Sequence, residues 1–264
     1  YHSNSNNYPI VIFLHGRGEK GPNSTDPKKL KEGEGLLAKL GPPMHVKKGT
    51  KFPFILISPQ LKSNYGSWPT SYVMEVLEHV QKYLRIDKKR IYITGLSLGG
   101  FGTWSMIQQY PELFAAAAPV CGGGSPNKAQ AIANENLPVW AFHGDADNTV
   151  HYSRSLEMVN AINQYNPNPR AQLSIYKGVK HDAWERAYRP DHSVHNPNVY
   201  EWFMSHRNED SNKPQENAPP VANAGPDKTI TTKVDKLVIN GSGKDADGTV
   251  VSYLWDFGDG SPTS

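Results

Sequence analysis

Six short runs, "YPIVIFLHG", "FPFILISPQ", "RIYITG", "AAAAPVCGG", "LPVWAFHG" and "AQLSIYKG", constrain this chain more than any other feature. Each is apolar at consecutive rather than alternate positions, and all but the second close on glycine. A strand with one face in water alternates; a strand that is apolar throughout needs cover on both faces, the condition of a parallel sheet between layers of helices. The intervening segments supply candidate helices at residues 71–84, 100–109, 153–163 and 197–206. In the first, Val73, Val76, Leu77, Val80 and Leu84 recur at helical spacing while Glu75, Glu78 and Lys82 take other positions, an amphipathic layer helix. Strands alternating with helices predict an α/β class protein with a doubly wound, mostly parallel sheet.

That pattern stops after Arg207. The stretch "NEDSNKPQENAPP" has no periodic apolar residues and three prolines, which marks a linker at residues 208–218 between a domain at 1–207 and a smaller one at 219–264. In the second, "TITT", "KLVING" and "TVVSYLW" alternate with turn clusters, the pattern of an all-β sandwich. Its Asp245, Asp247, Asp256 and Asp259 read as turn residues, with calcium ligation as the other reading. No run reaches the roughly 18 apolar residues of a membrane-spanning helix. With 28 basic and 25 acidic residues the formal charge is +3, and Glu32 and Glu34 interrupt the lysines between Lys28 and Lys51. Such a mixture is a solvated face, so nucleic acid is not an expected partner. Cys121 stands alone, which excludes an internal disulfide and leaves the compartment open. The first residue is Tyr1 and no signal segment precedes the first strand, which suggests a removed leader or an excerpt of a longer chain.

Gly95-Leu96-Ser97-Leu98-Gly99 fits G-x-S-x-G between a strand and a helix, the context in which the central serine becomes a nucleophile on a sharp elbow. The glycines give clearance where backbone segments meet, and the turn leaves the Leu98 N–H at a helix N-terminus, where an oxyanion is favoured. The other reading is a glycine-rich turn with a bystander serine. An alcohol needs a base, an orienting acid and oxyanion donors. His15-Gly16-Arg17-Gly18 follows the first strand and offers the Arg17 N–H as second donor. His143-Gly144-Asp145-Ala146-Asp147 closes another strand; Asp147 is preferred to Asp145 as the acid, and His143 reads as a packed loop residue. His181, in "GVKHD" after the last strand, completes the chain order Ser, Asp, His. His2, His45, His79, His192, His195 and His206 lie in termini, helices or polar loops, where surface or capping duty is the simpler account. Asp191, His192 and His195 carry metal-ligating groups at short spacing, but no fourth ligand or strand context supports a metal there. His15, Gln60, Trp68, His151 and Trp184 are candidate pocket residues, the tryptophans equally suited to the core.

Residues 8–202 resemble the α/β-hydrolase esterases of the phospholipase/carboxylesterase and polyhydroxybutyrate-depolymerase-like group, related to carbohydrate esterase family 1. The likeness lies in "YPIVIFLHGRGE", "FPFILISPQ", "YLRIDKKRIYITGLSLGGFGTW", "FAAAAPVCGG", "WAFHGDADNTV" and "GVKHDAWERAY". It implies Ser97 as nucleophile, His181 as base and Asp147 as acid, with N–H donors at Arg17 and Leu98. Members of the group carry one or two strands ahead of "YPIVIFLHG", so a sheet edge is expected to be missing here. The tail resembles the first half of a PKD-type immunoglobulin-like module, in "NAPPVANAGPDKTI" and "LVINGSGKDADGTVVSYLWDFGDG". A half-sandwich leaves strand edges unpaired, so this segment is expected to be poorly ordered or packed on a neighbour.

Together these imply a serine carboxylic ester hydrolase, secreted or on a bacterial surface, acting on acetyl or feruloyl esters of polysaccharide or other polymers without metal or cofactor. A serine peptidase of the same fold, or a non-catalytic adhesion protein on a hydrolase scaffold, stays open.

Overall fold

In a computed structural model the described residues are 7–208, with 221–223 and 242–244. The chain divides into two compact units, Tyr1–Ser211 and Asn212–Ser264. In the second unit the described residues form two strands, Val221–Asn223 and Ser242–Lys244, paired antiparallel. The linker, the four aspartates and the completeness of the β module lie outside the described residues.

All six apolar runs of the first unit become strands: β1 (Tyr8–Leu14), β2 (Ile55–Ile57), β3 (Ile86–Leu96), β4 (Ala116–Val120), β5 (Trp140–Gly144) and β6 (Gln172–Tyr176). They pair in parallel in the order β2-β1-β3-β4-β5-β6, the mostly parallel sheet of an α/β-hydrolase. Alternation along β1 sorts the core into two layers. Ile10, Ile12 and Leu14 pack with Val73, Leu77, Trp104, Ile107, Met158 and Ile162; these lie on the helices here numbered α3 (Thr70–Tyr83), α4 (Leu98–Gln109) and α6 (Ser153–Asn163). Val11 and Phe13 pack the other way, with Ala187 of α7 (Trp184–Ala187) and Val199, Trp202 and Phe203 of α8 (Val199–Met204).

Cover on both faces holds for β1, β4 and β5 but is incomplete at β6, the terminal strand of the sheet, where Ile175 is 43% exposed. Among the described residues four helices lie outside the sequence-based reading: α1 (Pro27–Glu34), α2 (Gly41–Lys47), α5 (Ala129–Asn134) and α7. The candidate helices at 71–84, 100–109, 153–163 and 197–206 correspond to α3, α4, α6 and α8. Among the described residues no helix is long and apolar enough to cross a membrane.

Candidate active site

The sheet gathers at its carboxyl edge what the sequence scatters. β3 ends at Leu96 and α4 begins at Leu98, so Ser97 is the whole turn between them, at φ +53°. That left-handed value is strained for a serine and is held by its surroundings. A Cβ on Gly99 would lie on the Leu14 carbonyl, and one on Gly95 on the Gly99 carbonyl, so both flanking glycines are obligatory. The Ser97 N–H donates to the Val120 carbonyl, which ties the elbow to the end of β4.

His181 follows β6 and reaches Ser97 from the other side, its Nε2 2.8 Å from Ser97 Oγ. Its Nδ1 lies 2.6 Å from Asp147 Oδ2, in the loop after β5. The carboxylate only accepts, so the ring proton sits on Nδ1 and the Nε2 lone pair faces the serine hydroxyl. Asp147 is 1% exposed, and its Oδ1 accepts the Thr149 and Val150 N–H groups at 2.8 and 2.9 Å. Burial pushes this carboxyl up, but the hydrogen bonds from His181, Val150 and Thr149 outweigh it and hold the group below the usual carboxylate range. Asp145, the alternative acid, is exposed and accepts the Gly178 N–H at 2.6 Å, a turn-to-turn brace.

The two candidate oxyanion donors begin helical turns. Leu98 is the first residue of α4 and Arg17 the first of a 3-10 turn, Arg17–Glu19, so neither N–H has a carbonyl one turn earlier to bond. Glu19 folds back beneath this turn. It is buried, and its carboxyl receives the Gly16 N–H, yet burial dominates and raises its pKa.

The candidate pocket residues divide. Trp184 lies edge-on to the His181 ring, centroids 5.3 Å apart, and stays beside the site. His15 is fully buried: its Nδ1 donates to the Gly16 carbonyl and its Nε2 accepts the Leu61 N–H. Trp68 is buried against it, donating Nε1–H to the His15 carbonyl. Gln60 donates to the Glu19 and Gly33 carbonyls at 3.0 and 2.8 Å. All three bond to backbone around the loop after β1 and brace it. His151 is exposed and accepts the Ser153 N–H at the start of α6. His143, read from the sequence as a loop residue, lies in β5, buried between Ser155 and the Val150 carbonyl with Nε2 3.3 Å from Asp147 Oδ2, and burial holds it below the usual imidazole range. His192 pairs with Glu201, Asp191 with Ser193, and His195 with the Tyr176 hydroxyl, so that cluster is three separate engagements. A groove of about 540 Å³ between Lys51, Phe52, Pro53, Pro190 and Tyr200 contains none of the triad residues.

One neighbour of the site escaped the sequence reading. Cys121, counted there only as an unpaired thiol, sits just past β4 at φ +49°, beside Asp147 and His181. The available signal was its place directly after an apolar run, as with Ser97 and the Asp147 loop.

A family model described as "Dienelactone hydrolase family" matches residues 66–206, and one described as "PKD domain" matches residues 217–264. A bifunctional acetylxylan esterase/xylanase of Neocallimastix patriciarum is 27% identical over 159 residues, 56% of this chain and 20% of that protein. A putative carboxymethylenebutenolidase of Escherichia coli O157:H7 is 28% identical over 188 residues, 66% of this chain and 68% of that one. The crystal structure of a thermostable esterase superposes with a TM-score of 0.60 at 29% identity, covering 77% of this chain and 56% of its own. This chain thus spans a fifth of the Neocallimastix relative and little more than half of the esterase structure.

Proposed function

The chain belongs to the dienelactone hydrolase family, and from that premise we propose that it is a serine carboxylic ester hydrolase working through Ser97, His181 and Asp147. The carrying observation is the single imidazole that spans 2.8 Å to the Ser97 hydroxyl and 2.6 Å to the buried Asp147 carboxylate. Ser97 Oγ attacks the ester carbonyl while His181 Nε2 takes its proton. The Arg17 and Leu98 N–H groups receive the oxyanion as the tetrahedral intermediate forms. His181 returns the proton to the leaving alcohol, and a water activated the same way releases the acid from the acyl-enzyme. Asp147 fixes the imidazole tautomer and stabilises its charged form throughout.

The substrate we propose is an acetyl or feruloyl ester on polysaccharide. Two things support it: the Neocallimastix relative is by name a bifunctional acetylxylan esterase/xylanase, and a PKD match follows the hydrolase, an arrangement suited to a secreted or surface enzyme acting on polymers. Ser97→Ala is expected to abolish labelling by a fluorophosphonate probe and to lower kcat on p-nitrophenyl acetate by about four to six decades. A near wild-type rate in that variant ends the reading. Acetylxylan, feruloyl esters, polyhydroxybutyrate and peptide amides assayed side by side then rank the polysaccharide ester against the peptidase alternative.

A further inference from the structure

We propose that Cys121, Asp147 and His181 form a latent site for a soft divalent cation of the zinc and cadmium class, and that filling it disconnects the base from Ser97. Each of the three residues brings one donor atom, and the sulfur, nitrogen and oxygen lie within 4.8 Å of one another. A thiolate, an imidazole and a carboxylate are the donor set of a tetrahedral zinc site, whose bonds of roughly 2.0–2.3 Å put donors roughly 3.3–3.6 Å apart. Closing on a cation therefore needs side-chain shifts of about 1 Å. His181 has that freedom, since its side chain is 22% exposed while Asp147 is fully enclosed.

A second observation concerns the sulfur alone. The Gly144 and Ala183 N–H groups donate to it, one from the end of β5 and one from the residue before α7. Such donors favour a thiolate. The thiol is buried, and its proton leaves when a cation supplies the opposing charge.

The inhibitory consequence rests on the serine-hydrolase reading; the site itself does not. A cation bound to Nδ1 displaces the proton now shared with Asp147, and the neutral ring then carries its proton on Nε2. Nε2 becomes a donor and no longer accepts from the Ser97 hydroxyl. The thiol proton leaves to solvent, so the exchange balances.

The test titrates the full chain with Cd²⁺, following the ultraviolet thiolate-to-cadmium charge-transfer band together with hydrolysis of an aryl ester. The band is expected to saturate at one cadmium per chain, with activity falling in parallel and a chelator restoring it. Asp147→Asn leaves the sulfur in place and is expected to weaken cadmium binding by at least about tenfold. In Cys121→Ser, zinc inhibition relative to that variant's own uninhibited rate is expected to weaken by a similar factor, with Cys121→Ala as the substitute where serine does not fold. No band in the wild type, a band indifferent to Asp147→Asn, or equal zinc sensitivity in the cysteine variant overturns the proposal. If no ester is hydrolysed at all, the band and its response to Asp147→Asn still decide the site, and only the serine-hydrolase reading falls.

Discussion

Asp145 and Asp147 stand two residues apart in one loop, and their surroundings give them different roles. Asp147 accepts from His181 and two backbone N–H groups in a dry pocket, whereas Asp145 accepts one N–H at the surface. Asp147→Asn offers His181 a donor where it needs an acceptor, forcing the wrong tautomer, and is expected to lower kcat by about four decades. Asp145→Asn keeps an accepting oxygen and is expected to stay within about tenfold. The same contrast has a pH signature. Asp147's carboxyl is held below its unfolded value, so its ionised form contributes stability fully above the unfolded value of about 3.9. That contribution disappears as pH falls through the lower folded value. Thermal melts of wild type and Asp147→Asn are therefore expected to differ by a constant gap near neutrality and to converge below about pH 4; a gap that widens in acid contradicts the assignment. Sequence alone narrowed the acid to this loop, because a strand end reads plainly. It also preferred Asp147 to Asp145, but the burial and N–H partners that distinguish the two come only from the folded chain. Likewise only the folded chain shows that His15 and Gln60 bond to backbone around the loop after β1.

At the scale of elements, the strands were legible because two-sided burial leaves a continuous apolar run, and α3 because its stripe has helical period. α1 and α2 carry no such stripe. α1 is set by the Asp26 carboxylate capping the Lys28 N–H and by Pro27 at its first position, and α2 also starts on prolines, which in sequence read as breaks. Local capping chemistry also fixes α8, a helix of six residues. Asn198 accepts the Tyr200 and Glu201 N–H groups, donates to the Pro190 carbonyl, and has its own N–H taken by Glu201. Asn198→Ala removes the cap and the bond to Pro190 and is expected to cost about 2 kcal/mol. Urea unfolding monitored by tryptophan fluorescence should show this as a lower midpoint at unchanged slope. An unchanged midpoint would mean that packing of Trp202 and Phe203 alone holds α8 in place.

The whole molecule adds what no run or motif contains, the order of strands. Six interchangeable apolar runs permit many sheets; short crossovers from parallel strand to parallel strand leave few. The order observed puts β3 beside β4 and β5 beside β6, so residues 84 and 34 positions apart in the chain come within hydrogen-bond reach of His181. Legibility of the site thus rested on a motif whose context, strand before and helix after, is itself part of the fold, while the loops between elements follow no period. The same organisation places every proposed catalytic group, from Arg17 to His181, in the first compact unit. A chain ending at Asn208 is therefore expected to hydrolyse p-nitrophenyl acetate with kcat/KM within about twofold of the full chain, since no triad partner or proposed oxyanion donor is removed. Against insoluble acetylxylan, the full chain should release acetate faster if the PKD segment holds the enzyme on polymer, because attachment raises the effective concentration of ester groups without altering the chemistry. Equal rates on both substrates would detach the PKD segment from catalysis, whereas a collapse on the small ester would place part of the catalytic machinery beyond residue 208.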